Sequence, residues 1–71
     1  MNKEKKQIGR IKIYDHQKGY GFIEREKGKD IFVNYQQIPA QDVNVLVGSM
    51  VEFDVDDDPR GPRAVNVRLL T

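Results

Sequence analysis

The sequence predicts an all-β protein that forms one five-stranded antiparallel Greek-key barrel. Five short segments with alternating apolar and polar residues are spread over about 60 residues, with turn-forming residues between them. No segment shows the helical spacing of apolar residues. The chain has 71 residues, of which 38% are hydrophobic, so it can build one small core. Short antiparallel strands around a single core fit a barrel better than a sandwich.

The first three predicted strands form a meander, and the last two follow a long connection. The strands are predicted at residues 8–14, 19–25, 29–35, 50–55 and 64–70. Turns are expected around His16, around Gly28 and across residues 57–62, because glycine supplies a positive φ and proline presets a turn. The connection at residues 36–49 is predicted to contain one short helical turn.

Alternation along the strands divides the side chains between two faces of the sheet. The inward face is predicted to hold Ile11, Ile23, Ile31, Val33, Val51, Phe53, Val55, Val65, Val67 and Leu69. The outward face is predicted to carry Lys12, Tyr14, Tyr20, Phe22, Phe32 and Asn34. A lone ring usually belongs to the core, but aliphatic residues already fill the inward side of these strands. Because a chain of this size cannot easily bury both faces, we expect several rings to be exposed.

Charge is distributed unevenly along the chain. Residues 1–30 carry nine Lys or Arg and five Asp or Glu, whereas residues 31–71 carry three and six. This asymmetry predicts a positive side that would attract a polyanion. Exposed rings between basic side chains suit single-stranded nucleic acid, because bases stack on rings and phosphates require positive charges. Single-stranded RNA or DNA is therefore the expected partner.

The residues that would be needed for catalysis or metal binding are scarce. The chain contains no cysteine and one histidine, so it has no disulfide framework and no thiolate metal site. His16 lies next to Asp15, but no motif places a nucleophilic serine or cysteine near them. The acidic run at residues 54–58 lacks the glycine and the terminal glutamate of a calcium loop. We expect no enzyme activity, no metal and no cofactor.

The sequence also predicts where the protein acts and how it is organised. No apolar run approaches the roughly 20 residues of a membrane span, and the basic residues 1–7 lack the apolar stretch of a signal peptide. We expect a cytoplasmic monomer without a membrane or small-molecule partner. It would consist of a flexible basic tail at residues 1–7 and one domain at residues 8–71.

Five motifs occur in order along most of the chain. They are GRIKIYD at residues 9–15, KGYGFI at 18–23, DIFVNY at 30–35, GSMVEF at 48–53 and PRGPRAVNV at 59–67. Together they resemble the pattern of bacterial cold-shock proteins, or cold-shock domains. The resemblance implies a five-stranded barrel of the OB-fold type that binds single-stranded RNA and DNA. It further implies a role as an RNA chaperone or as a regulator of transcription or translation.

Carried over position by position, the resemblance implies a nucleic-acid-binding face. Its residues would be Lys12, Tyr14, Lys18, Tyr20, Phe22, Asp30, Phe32, Asn34, Tyr35 and Arg60. The rings would stack on bases, and the basic side chains would contact phosphates or base edges. Alternation groups Tyr35 with the buried residues of its strand, whereas the resemblance implies an exposed ring at the strand end. We follow the resemblance for Tyr35.

Three departures from the family pattern predict a weaker or differently tuned binder. Ile13 stands where the family usually has tryptophan, Asn34 where it usually has histidine, and Val43 near a position that is commonly aromatic. The amide of Asn34 can both donate and accept, which suits a base edge better than a stack. Each stacked base contributes roughly 1–3 kcal/mol, so losing two rings would weaken binding by more than about tenfold.

Two alternatives to a nucleic-acid-binding barrel of this type stay open at the level of sequence. The run at residues 18–22 also matches the beginning of the RRM signature, but an RRM needs two amphipathic helices that the chain does not offer. The second alternative is an OB barrel that has become a protein-interaction or regulatory module. The absent tryptophan and the net charge of only +1 favour that alternative.

Overall fold

A computed structural model describes residues 6–39 and 47–70. The strands are β1 (Gln7–Asp15), β2 (Tyr20–Arg25), β3 (Ile31–Asn34), β4 (Met50–Asp58) and β5 (Gly61–Leu69). A single turn of 3₁₀ helix, η1 (Tyr35–Gln37), follows β3. The strands close into a barrel in the order β1-β2-β3-β5-β4, which confirms the predicted all-β five-stranded architecture. Within the described ranges, no helix is long and apolar enough to cross a membrane.

The pair β3–β5 differs from the other four strand pairs of the barrel in the relative direction of its strands. The pairs β1–β2, β1–β4, β2–β3 and β4–β5 are antiparallel, as predicted. Strands β3 and β5 run parallel, with Phe32 beside Arg63 and Val33 beside Ala64. A parallel pair requires a long crossover, and the chain between β3 and β5 supplies it. This parallel pairing brings the beginning of β5 next to the aromatic strand β3.

The barrel interior is filled by aliphatic side chains around one large ring. Eight residues are at most 1% exposed: Ile11, Ile23, Ile31, Val33, Val51, Phe53, Ala64 and Val67. Val55 and Leu69 are partly buried and pack against this core. Nine of the ten predicted core positions thus lie in or against the core, and the tenth, Val65, does not. Burial of these side chains supplies most of the driving force for closing the barrel.

A bulge in β5 explains why the prediction for Val65 is wrong. The register between β4 and β5 shifts between Glu52 and Asp54, and Asn66 adopts a positive φ of 53°. An inserted residue reverses the alternation on either side of it. Ala64 and Val67 therefore both face the core, while Val65 is half-buried on the outer side, across from Asp54.

The turn between β4 and β5 is tighter than the sequence predicts. The sequence predicts a turn over residues 57–62, yet β4 continues to Asp58 and β5 begins at Gly61. The backbone N–H of Arg60 donates to Asp58 Oδ1 at 2.9 Å, which folds the side chain of Asp58 over the two-residue tip. Gly61 has a φ of 129°, a conformation that other residues rarely adopt.

Two sequence-based predictions lie partly outside the described residues. The predicted basic tail comprises residues 1–7, of which residues 1–5 are not described, while Gln7 is already the first residue of β1 and pairs with Phe53. The predicted helical turn in the long connection corresponds to η1. Val43, which departs from the aromatic residue common in the family pattern, lies outside the described residues.

Candidate nucleic-acid interface

Three rings form a contiguous outward-facing cluster on β2 and β3, here called the ring cluster: Tyr20, Phe22 and Phe32. Phe22 and Phe32 are cross-strand neighbours, with ring centroids 5.9 Å apart and an edge-to-face angle of 72°. The Tyr20 ring lies 5.7 Å from that of Phe32. Tyr20 and Phe22 are each 37% exposed although the core behind them is full. The ring cluster therefore offers an aromatic surface to solvent, as the alternation predicts.

Tyr35 extends this surface beyond the end of β3. Its ring is 58% exposed, as the family resemblance implies and strand alternation does not. Alternation fails here because β3 ends at Asn34 and η1 follows it. The Oδ1 of Asn34 accepts a hydrogen bond from the backbone N–H of Gln36 at 2.9 Å and so caps the start of η1. The Tyr35 ring lies over Gly19, where a Cβ would come within 2.8 Å of the ring. Gly19 also has a positive φ of 77°. Both the nearby ring and this backbone conformation therefore require glycine at this position.

A bulge at Lys12 places Ile13 beside the ring cluster. The register between β1 and β2 passes from Ile11 opposite Ile23 to Ile13 opposite Phe22, which leaves Lys12 as the extra residue. Ile13 is 56% exposed and shares the outward face with Phe22. The position where the family pattern has tryptophan is thus adjacent to the aromatic surface, and an aliphatic side chain occupies it in this chain.

The same bulge moves Tyr14 away from the ring cluster. Tyr14 lies opposite Gly21 on the inward side of the sheet and packs against the core. A side chain at Gly21 would collide with the backbone carbonyl of Ile13 and with the Tyr14 ring. Partial burial raises the pKa of the Tyr14 hydroxyl. The predicted outward orientation of Tyr14 is therefore wrong, because one inserted residue reversed the alternation.

The predicted basic residues lie at different positions around the rings. Lys12 Nζ donates to Asp30 Oδ2 at 3.0 Å, and this hydrogen bond, helped by the charge of Asp30, raises the pKa of Lys12. Lys18 is exposed in the turn before β2, where Asp15 Oδ1 accepts from its backbone N–H at 3.0 Å. A phosphate near Lys12 would have to share the ammonium group with Asp30, whereas Lys18 projects from a turn that Asp15 fixes.

Arg60 lies at the tip of the β4–β5 hairpin. Its side chain is 89% exposed, and its Nε is 3.3 Å from Asp58 Oδ1. The backbone hydrogen bond from Arg60 is the main reason why the pKa of Asp58 is lowered. Asp58 therefore remains ionised and holds the hairpin tip in place beside the rings.

A cleft of about 510 Å³ separates the ring cluster from this hairpin. Its lining includes Phe22, Phe32, Asn34, Gln36, Gln37, Asp58, Arg60, Pro62 and Arg63. Neither Arg63 nor Ile13 belongs to the set of site residues that the sequence predicts. Arg63 reaches the site only through the parallel pairing that places it beside Phe32, and a short-range pattern contains no signal for such a pairing.

The acidic residues of β4 form ion pairs rather than a cation site. Asp56 Oδ2 accepts from Arg63 Nε at 3.0 Å, and Asp54 Oδ2 lies 3.3 Å from Lys6 Nζ. A hydrogen bond from Asn66 is the main cause of the lowered pKa of Asp54. Among the described residues, no group of three His, Asp or Glu side chains is arranged to hold a metal ion.

The amino-acid sequence is similar to those of several known proteins. Residues 7–70 match the family model described as the "'Cold-shock' DNA-binding domain". The chain is 48% identical over 60 residues to cold shock-like protein CspC of Bacillus cereus, covering 83% of this chain and 92% of the relative. It is 47% identical over 64 residues to a cold shock-like protein of Aquifex aeolicus, covering 87% of this chain and 91% of the relative.

Comparison with solved structures supports the fold independently. The chain superimposes on a structure titled "drosophila Unr CSD456" with a TM-score of 0.81. The match covers 96% of this chain but only 28% of that longer chain, at 22% identity. At that level of identity, the likeness supports the barrel fold alone.

Proposed function

The chain belongs to the cold-shock domain family, and on that premise we propose that it binds single-stranded nucleic acid on the face formed by β1, β2 and β3. The observation that carries the proposal is the exposed ring cluster, in which the rings of Tyr20 and Phe22 both contact that of Phe32 outside a filled core. Every base has a π-face, so such a surface binds single strands with little dependence on sequence. Duplexes bury that face of their bases.

The proposed binding mode combines stacking with charge neutralisation. Bases stack on the ring cluster and on Tyr35, while Lys12, Lys18 and Arg60 meet phosphates along the rim. Asp30 keeps Lys12 oriented, and Asn34 offers its amide to a base edge. Tyr14 was included in the predicted face, but its inward position removes it from the proposed interface.

A salt titration with a labelled short strand tests the charge part of the proposal. Three phosphate contacts predict that the logarithm of affinity falls with the logarithm of salt concentration with a slope of about −2, from roughly 0.7 per contact on single strands. Lys18→Gln should make that slope shallower by about 0.7. Lys27→Gln, in the exposed turn between β2 and β3, is the matched control and should leave the slope unchanged.

The outcome of this titration is decisive for the proposed function. Binding that is insensitive to salt would contradict phosphate contacts. No binding of any mixed-sequence single strand at low salt would remove the proposed function altogether.

Restoring the missing ring should strengthen binding. Ile13→Trp places an indole beside Phe22 on the outward face, where one further base could stack. We expect affinity for a single strand to rise about 5-fold to 150-fold, from roughly 1–3 kcal/mol per stacked base. Ile8→Trp is the control, because Ile8 is similarly exposed at 53% but lies opposite Glu52, away from the rings. An equal gain in both variants would show that the site beside Phe22 is not special.

Further parts of the proposal follow from family membership. We propose that the protein acts as an RNA chaperone or as a regulator of transcription or translation, as a cytoplasmic monomer without catalytic activity. The comparisons support nucleic-acid binding of the cold-shock type and contain nothing that favours the alternative of a protein-interaction module.

A further inference from the structure

The cleft beside the ring cluster has the dimensions of a ligand site. Its volume of about 510 Å³ falls within the range of roughly 300–1,000 Å³ that is usual for such sites. Phe22 and Phe32 form one wall, and the start of β5 forms the other. A base stacked on Phe32 would point an edge towards Arg63, its direct neighbour in the parallel pair.

Arg63 is held in place by two carboxylates of β4. Its Nε donates to Asp56 Oδ2 at 3.0 Å, and its Nη1 lies 3.9 Å from Asp58 Oδ2. The side chain nevertheless remains 44% exposed and lines the cleft. A guanidinium group has five N–H donors in a rigid plane, and the hydrogen bond to Asp56 uses only the one on Nε, so the end edge formed by Nη1 and Nη2 can face a ligand.

The amide side chains of the cleft also present donors. Asn34 Oδ1 accepts from the backbone N–H of Gln36 at 2.9 Å, and Gln37 Oε1 accepts from that of Asn66 at 3.2 Å. The protein backbone thus engages the amide oxygens of Asn34 and Gln37, which leaves their NH₂ groups for the cleft, while the third amide, that of Gln36, can donate or accept. Asp58, the carboxylate in the lining, accepts from the backbone N–H and the Nε of Arg60. The cleft therefore favours a base edge with adjacent acceptors.

Guanine has such an edge, because its N7 and O6 are both acceptors, whereas adenine has a donor next to N7. A guanidinium group binds this pair of acceptors bidentately, which is the commonest specific contact between arginine and a base. We infer that the cleft is a guanine-selective subsite, in which a guanine stacked on Phe32 is bound through N7 and O6 by Arg63. The inference rests on the proposed function, since it requires a strand on the ring cluster.

Strands that differ at one base test this inference. The probes are a short thymidine strand, the same strand with one central guanine, and versions with 7-deazaguanine, adenine or cytosine at that position. We expect the guanine strand to bind about tenfold more tightly than the thymidine strand. The 7-deazaguanine strand should lose most of this gain, because a carbon replaces the N7 acceptor.

Variants of the arginine identify the group that recognises guanine. Arg63→Gln should abolish the preference for guanine, so that the guanine and thymidine strands bind within about twofold of each other, because the variant has no donor pair for N7 and O6. Arg63→Lys should also fail to restore the preference, because an ammonium group cannot bind two acceptors in one plane. Arg68→Gln is the matched control on β5. Because Arg68 lies opposite Glu52, this substitution should leave the preference for guanine intact.

Each contrary result has a distinct meaning. Equal binding of all strands, or preference for cytosine or adenine, would overturn the inference and leave the proposed function standing. A uniform loss of affinity in Arg63→Gln, with the salt slope shallower by about 0.7, would assign Arg63 to a phosphate instead. Failure of every strand to bind at low salt would overturn both the inference and the proposed function.

Discussion

Replacing Phe22 and Phe32 together by alanine is expected to reduce affinity for a single strand by about 30-fold or more. Each ring contributes roughly 1–3 kcal/mol when a base stacks on it, and tenfold in affinity corresponds to about 1.4 kcal/mol. The two rings are adjacent, with centroids 5.9 Å apart, and Phe32 also contacts Tyr20. Their removal therefore deletes the centre of the surface and leaves Tyr20 and Tyr35 as its remaining rings. Anisotropy of a labelled strand measures the loss.

A second double variant separates stacking from apolar contact. Phe22→Leu with Phe32→Leu retains much of the apolar area but has no π-face, so it should lose nearly as much affinity as the alanine variant. Ile8→Ala is the control for an exposed apolar residue outside the ring cluster and should bind normally. If the leucine variant bound like the original protein, base stacking on these rings would be refuted. Circular dichroism establishes that each variant is folded.

Phe53→Ala is expected to lower the free energy of unfolding by about 3–5 kcal/mol, the range for deleting a fully buried ring. Phe53 is 0% exposed and is the largest of the fully buried side chains. A chain of this length has only about 4–11 kcal/mol of stability, at roughly 0.05–0.15 kcal/mol per residue. The substitution should therefore remove a large share of the stability, because nothing else in so small a core can fill the cavity. Urea denaturation followed by circular dichroism measures it.

Matched substitutions show whether this loss arises from the core. Ile8→Ala also removes an apolar side chain, but from an exposed position, and should change the free energy of unfolding by at most about 0.5 kcal/mol. Loss of nucleic-acid binding in Phe53→Ala should follow the fraction of unfolded protein. A Phe53→Ala variant within about 1 kcal/mol of the original protein would contradict the packing described for the barrel.

The number of strands, the exposed rings and most of the core could be predicted from the sequence. Alternation assigns Ile23, Ile31 and Val33 correctly, because β2 and β3 are regular and each residue has one face. The same logic gives the outward positions of Phe22 and Phe32. Regular strands with a filled inner face determine these positions locally, so a local pattern is sufficient to find them.

The sequence did not reveal positions that depend on bulges. One inserted residue at Lys12 reverses Tyr14, and the irregularity at Asn66 reverses Val65. Asparagine tolerates a positive φ better than most residues, so Asn66 offered a weak signal, whereas a lysine offers none. A bulge is fixed by how two strands fit together, and that fit is not visible in either strand alone.

Arg63 was missed for a different physical reason. Its place beside Phe32 arises from the parallel pairing of β3 with β5, which joins segments about thirty residues apart in sequence. Its orientation depends further on Asp56, which is across the hairpin. Such a site requires the closed barrel, so only the tertiary structure brings its parts together.

An amide chemical-shift map would show whether a single strand lies across the ring cluster and the hairpin tip. Uniformly labelled protein is titrated with a short single strand at low salt. We expect the largest shifts at residues 18–22, 30–36 and 60–63, and small shifts at residues 24–28 and 50–54. Shifts concentrated at residues 24–28 and 50–54, with the ring cluster unchanged, would contradict this placement of the strand.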